Sequence, residues 1–97
     1  MPSEAVNHQE KFALRIIEEQ AIIVGSIAWE VADQVSGVRI NIQTHSVNLE
    51  GDPKKVLEQL VAQYESVFGP ASREVCRDAV KPLLAQISPE EIPAVLQ

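Results

Sequence analysis

The chain of 97 residues carries one cysteine, Cys76, and the lack of a second removes several classes at once. No internal disulfide can form and no CxxC pair exists, which excludes a secreted disulfide scaffold and a cysteine-rich zinc module. Basic residues are scarce as well. Eight Lys and Arg stand against fourteen Asp and Glu, a net charge of −6, so a diffuse cationic footprint for nucleic acid or anionic lipid is missing. Long apolar runs are also lacking. The most apolar window, Ala21 to Trp29, is interrupted by Gly25 and Ser26 and followed by Glu30. It falls short of the roughly 20 apolar residues that a membrane-spanning helix needs. Met1-Pro2-Ser3-Glu4 is polar and acidic, where a signal peptide is basic and then apolar, which predicts a cytosolic protein. No repeat, low-complexity tract or Gly/Ser/Pro-rich linker divides the chain. With 45% hydrophobic residues it reads as a single domain over residues 1–97 with one core.

What is present is periodicity. Between Pro2 and Gly37 there is no proline, and Ile17, Ala21, Val24, Ala28, Val31 and Val35 recur at spacings of 4, 3, 4, 3 and 4. That pattern predicts a helix over about 4–36. Phe12, Ile16, Ile23 and Ile27 fall on the same side, so the apolar arc covers about half the circumference, wider than the stripe of about 100° that a surface helix needs. Ile22 and Trp29, seven apart, share the opposite face with Lys11, Arg15, Glu18, Ser26 and Asp33. Either they form an exposed apolar pair, or a break near Gly25 rotates the second half and buries the tryptophan. A short buried strand over Ala21 to Val24 is a third option.

From Val38 the period becomes two. Val38, Ile40 and Ile42 alternate with Arg39, Asn41 and Gln43; after Thr44-His45-Ser46, Val47 and Leu49 alternate with Asn48 and Glu50. This predicts a β-hairpin over about 38–50 with one apolar face, although no Asn-Gly or Asp-Gly marks its turn. A lone hairpin is marginal in water, so it must lie on the helices, pair with another strand or join a second copy. Asp52 as N-cap and Pro53 as first residue open a helix over about 53–68, striped by Val56, Leu57, Leu60, Val61, Tyr64, Val67 and Phe68. Gly69 and Pro70 end it. Another helix, about 71–86, buries Val75, Cys76, Ala79, Val80, Leu83 and Leu84, with Pro82 kinking or ending it. Ser88-Pro89-Glu90-Glu91 reads as a capping box before a short helical turn over about 89–96. The expected class is α+β, dominated by helix.

Chemistry-bearing constellations are thin. His8 and His45 have no second ligand at metal spacing, and Glu18-Glu19 and Glu90-Glu91 diverge by about 100° on a helix. Cys76, the sole candidate nucleophile, sits in an apolar stripe where a thiol is inert packing. No phosphate-binding glycine pattern is present. No catalytic residue, metal ligand or cofactor site is therefore assigned, and no enzymatic activity is expected. Phe68 to Arg77 resembles the turn and second helix of a helix-turn-helix, with Arg73, Arg77 and Lys81 on one stripe. That resemblance implies contacts to DNA. Against it, Glu74 and Asp78 flank the stripe, Glu65 stands where such motifs need a small residue, and the whole chain is acidic.

The wide arc, the Ile22 and Trp29 pair and a hairpin with no visible sheet partner favour a cytosolic protein-interaction or regulatory module. The expected form is a homodimer joined through the first helix and the hairpin. Its expected interface is Ile22, Trp29, Ile17, Val24 and Val31. The alternatives are a DNA-binding regulator using Arg73, Arg77 and Lys81, and a small-ligand domain with an apolar pocket between hairpin and helices.

Overall fold

Gly25 adopts φ +83°, a left-handed conformation that ordinary residues avoid, and it cuts the helix expected over 4–36 in two. The computed structural model describes residues 8–41, 43–86, 90 and 92–96. Helix α1 spans His8–Val24 and α2 spans Ile27–Asp33. Gly25 N donates to Ala21 O at 2.8 Å, the single bond of a left-handed helix end, while Ala28 N and Trp29 N start the next turn on Gly25 O and Ser26 O. The option of a break near Gly25 is the one realised, and Ala21 to Val24 is helical, not a strand.

Strands β1 (Val38–Asn41) and β2 (Ser46–Leu49) form an antiparallel pair, with Val38 opposite Leu49 and Ile40 opposite Val47. These four make the apolar face; Arg39 and Asn48 point away. Ile42, expected on that face, lies outside the described residues. The turn is organised by Asn41, whose Oδ1 accepts from Gln43 N at 3.0 Å and Thr44 N at 3.3 Å. An Asx turn thus supplies what the absent Asn-Gly pair would have. The hairpin lies on the helices: Glu10 of α1 accepts from Leu49 N at 2.9 Å and from Asn48 Nδ2 at 3.3 Å.

Helix α3 runs Pro53–Phe68, capped by the Asp52 carboxylate on Lys54 N at 3.1 Å. Gly69, at φ +97°, closes it by donating to Glu65 O. Helix α4 is Ala71–Val80, shorter than the expected 71–86, because Pro82 cannot continue the α-helical ladder. The chain goes on as a 3₁₀ segment, Lys81–Gln86, and a last 3₁₀ turn covers Ala94–Leu96. Of the capping box, residues 88, 89 and 91 lie outside the described residues.

One core joins all the helices. Phe12, Ala13, Ile16 and Ile17 of α1 meet Leu57, Leu60, Val61 and Tyr64 of α3, with Cys76, Ala79 and Val80 of α4 and Ala28, Val31 and Ala32 of α2 closing around them. Gln20, buried on α1, donates to Ser72 O at 3.2 Å and so ties α1 to α4 through the apolar interior. The stripe assignments need correction at four positions. Val67, one turn past Tyr64, is 48% exposed; Val75 of α4 is half-buried, and Leu83 and Leu84 are half-buried because the 3₁₀ segment carries them to the edge of the core.

Candidate functional site

The break at Gly25 creates the most unusual surface of the molecule. By turning the chain between α1 and α2 it leaves Ile22 76%, Ile23 63% and Ile27 45% exposed within six positions. Single exposed apolar residues are ordinary, but three large ones within six positions point to a surface with a job. The expected interface of Ile22, Trp29, Ile17, Val24 and Val31 is therefore reordered. Only Ile22 stands on the surface; Ile17, Trp29 and Val31 are buried in the chain's own core and Val24 is half-buried. Ile23 and Ile27, read as part of the buried arc, replace them. For Ile27 the continuous helix behind that arc ends at the break, although Ala28, Val31 and Val35 stay buried; Ile23 lies before the break, on the last turn of α1.

Beside the isoleucines lies an apolar cleft of about 350 Å³ between α2 and the hairpin turn, lined by Ala21, Gly25, Ser26, Trp29, Glu30 and His45. Its wall is a stacked ring pair: the His45 imidazole lies over the Trp29 indole, centroids 4.9 Å apart and planes 20° apart. The hairpin turn delivers His45 there by holding it at φ +52°. Tyr64 Oη donates to Ala28 O at 2.7 Å and fixes α2 on α3 from beneath. The sequence offered His45 as a plain surface imidazole, since no local pattern links a hairpin turn to a helix sixteen residues earlier.

Charge is distributed unevenly around this surface. Ile27, Glu30 and Asp33 follow at spacings of three along the exposed side of α2. Among the described residues neither Glu30 nor Asp33 has a cationic partner. Glu18 and Glu19 are paired with Arg15, Glu50 with Arg39, Glu65 with Arg73, Glu74 with Arg77 and Asp78 with Lys81.

The basic stripe of α4 is accordingly occupied. Arg73 Nη2 donates to both oxygens of Glu65, at 2.8 and 3.1 Å. Arg77 Nε donates to Val95 O at 3.0 Å and its Nη1 to Glu74, while Lys81 meets Asp78 at 3.3 Å. Each cation that the helix-turn-helix resemblance assigns to DNA is already met by a carboxylate, so the local potential is close to neutral. We expect no salt-dependent binding of a fluorescent DNA duplex even at ~50 mM salt. Binding that collapses when Arg73 and Arg77 become alanine would contradict this.

Cys76 is fully buried, with Gln20 Nε2 3.5 Å from its Sγ. Burial pushes its thiol up to about 11, a shift that the Gln20 hydrogen bond partly opposes and the Glu65 charge reinforces. Tyr64 is likewise raised, first by burial and then by Cys76. Between the ordinary thiol value of 9.0 and about 11, the unfolded chain gives up a proton that the folded chain keeps. Stability is thus fully present below pH 9 and falls as pH rises towards 11. Urea unfolding midpoints at about pH 8 and about pH 10.5 check this; a midpoint rising with pH would refute it. Iodoacetamide should label native Cys76 far more slowly than free cysteine.

Among the described residues, no group of three or more His, Cys, Asp or Glu side chains could hold a metal ion. No helix among them is long and apolar enough to cross a membrane. A second cleft, also about 350 Å³, opens between α3, Arg73 and Val95; its polar lining is Glu58 and the Arg73–Glu65 ion pair. Compared with known protein families, curated proteins and solved structures, the chain matches none.

Proposed function

We propose that the chain is a small cytosolic protein-interaction module that docks another protein through the surface around the α1–α2 break. The observation carrying this reading is the exposure of Ile22, Ile23 and Ile27 together, beside an open apolar cleft. Burying a large aliphatic side chain contributes roughly 1.5–3 kcal/mol, so three leave substantial binding free energy at the surface of a domain that has already built its core. A pocket walled by a buried aromatic, with exposed aliphatics on the neighbouring chain positions, suits the centre of an interface. The basic stripe of α4 has no group of exposed large aliphatics beside it, and each of its three cations is ion-paired, which leaves the DNA reading without support.

The test is the triple variant Ile22→Ser, Ile23→Ser, Ile27→Ser. Because these side chains project into solvent, each change should alter stability by no more than about 0.5 kcal/mol. A protein captured from native cytosol by the wild-type chain should be lost from the variant while thermal unfolding stays unchanged. Equal capture by both chains would remove this surface from the function.

A further inference from the structure

We propose that the occupant of this surface is a basic amphipathic helix belonging to another protein, its apolar stripe on the isoleucines and its cations on Glu30 and Asp33. The inference rests on the docking reading above and adds the chemistry of the partner. Three observations carry it. The apolar group Ile22, Ile23 and Ile27 passes directly into Glu30 and Asp33 along the exposed side of α2, spacings of three from Ile27 onward. A partner helix that repeats apolar and cationic residues three or four apart presents the matching order. Glu30 and Asp33 have no cationic partner among the described residues; Glu58 of α3 has none either, but only Glu30 and Asp33 follow the exposed isoleucines along the chain. Finally, the cleft of about 350 Å³ under Glu30, backed by the Trp29–His45 stack, accepts one large side chain from such a helix.

A second copy of the chain fits less well. Two-fold pairing over the isoleucines would join molecules that each carry −6, with no net charge complementarity between them. The same charges oppose an anionic membrane surface.

Three synthetic helices of about 18 residues, sharing one leucine stripe but flanked by Lys, Gln or Glu, separate these possibilities. Binding is read from the anisotropy of a label on the peptide and from the fluorescence of Trp29, the only tryptophan. The Lys-flanked helix should bind at least about tenfold tighter than the Gln-flanked one, weaken as salt rises, and lose binding to the triple serine variant. The double variant Glu30→Lys, Asp33→Lys should invert the order in favour of the Glu-flanked helix. Equal binding of the Lys and Gln helices, both abolished by the serine variant, overturns the partner chemistry and leaves docking at this surface standing. Binding untouched by the serine variant, or no binding by any helix, overturns the proposal. A dimer that persists on dilution in light scattering and dissociates in the serine variant also overturns it, with a second copy as occupant.

Discussion

Replacing Trp29 by alanine should lower the unfolding free energy by about 3–5 kcal/mol, the range for deleting a large buried aromatic. A domain of this size has about 5–15 kcal/mol in all, so the variant should be close to the threshold of folding. Its midpoint should fall by about 12 °C or more. The residue is 8% exposed, with α2 held to α3 by the Tyr64–Ala28 bond and His45 stacked on the outer side of its ring. Ile22, seven positions earlier and 76% exposed, has no such surroundings, and Ile22→Ser should stay within about 0.5 kcal/mol. On an unbroken helix the two residues would share one face and respond alike. Thermal and urea unfolding of the two single variants therefore reads the break at Gly25 directly. Similar losses at both positions would mean that the helix continues through Gly25. His45→Ala should fall between the two, losing a ring contact of about 0.5–1.5 kcal/mol.

The same pair explains what the sequence could and could not reveal. Elements decided by short-range rules were legible. The alternation of Val38, Ile40, Val47 and Leu49 needs only a pleat, and Asp52-Pro53 and Gly69-Pro70 act on their own helix ends. The break at Gly25 was legible only as one option among three, because a lone glycine costs a helix only about 1 kcal/mol relative to alanine. Contacts thirty-six residues apart, such as Tyr64 with Ala28, decide whether the chain turns there, and no local pattern records them. Once the turn is made, Trp29 enters the core and Ile27 leaves it, while Ala28, Val31 and Val35 stay buried. The ion pairing of α4 divides in the same way. Arg77 with Glu74 and Lys81 with Asp78 are three apart and readable as helix neighbours, whereas Arg73 with Glu65 spans the α3–α4 corner. The candidate surface was thus legible as a tendency, an excess of apolar residues on the N-terminal segment. Its members were set by tertiary packing.

Gly37→Ala should destabilise by about 2–5 kcal/mol, while Gly25→Ala should cost about 1–2 kcal/mol. Both glycines hold a left-handed backbone, at φ +93° and +83°, so both alanines bear the same conformational strain. They differ in what a Cβ would touch. At Gly25 nothing lies within 4 Å; at Gly37 the added carbon would stand 2.8 Å from Val56 Cγ2 and 2.9 Å from Glu50 O. Val56 is part of the α3 core, so its methyl cannot withdraw without disturbing Leu57 and Leu60. Glu50 cannot yield either, since its amide donates to Gly37 O at 2.7 Å and closes the open end of the hairpin. Relief must come from separating the hairpin from α3, which loosens the support under His45 and Trp29. The difference between the two variants isolates the overpacking, about 1–3 kcal/mol, from the strain they share. Paired urea unfolding curves measure it, and amide exchange at Glu50 should quicken in Gly37→Ala alone. Equal losses at the two glycines would show that the hairpin is free to move away from α3, and the Trp29–His45 cleft would then have no fixed wall.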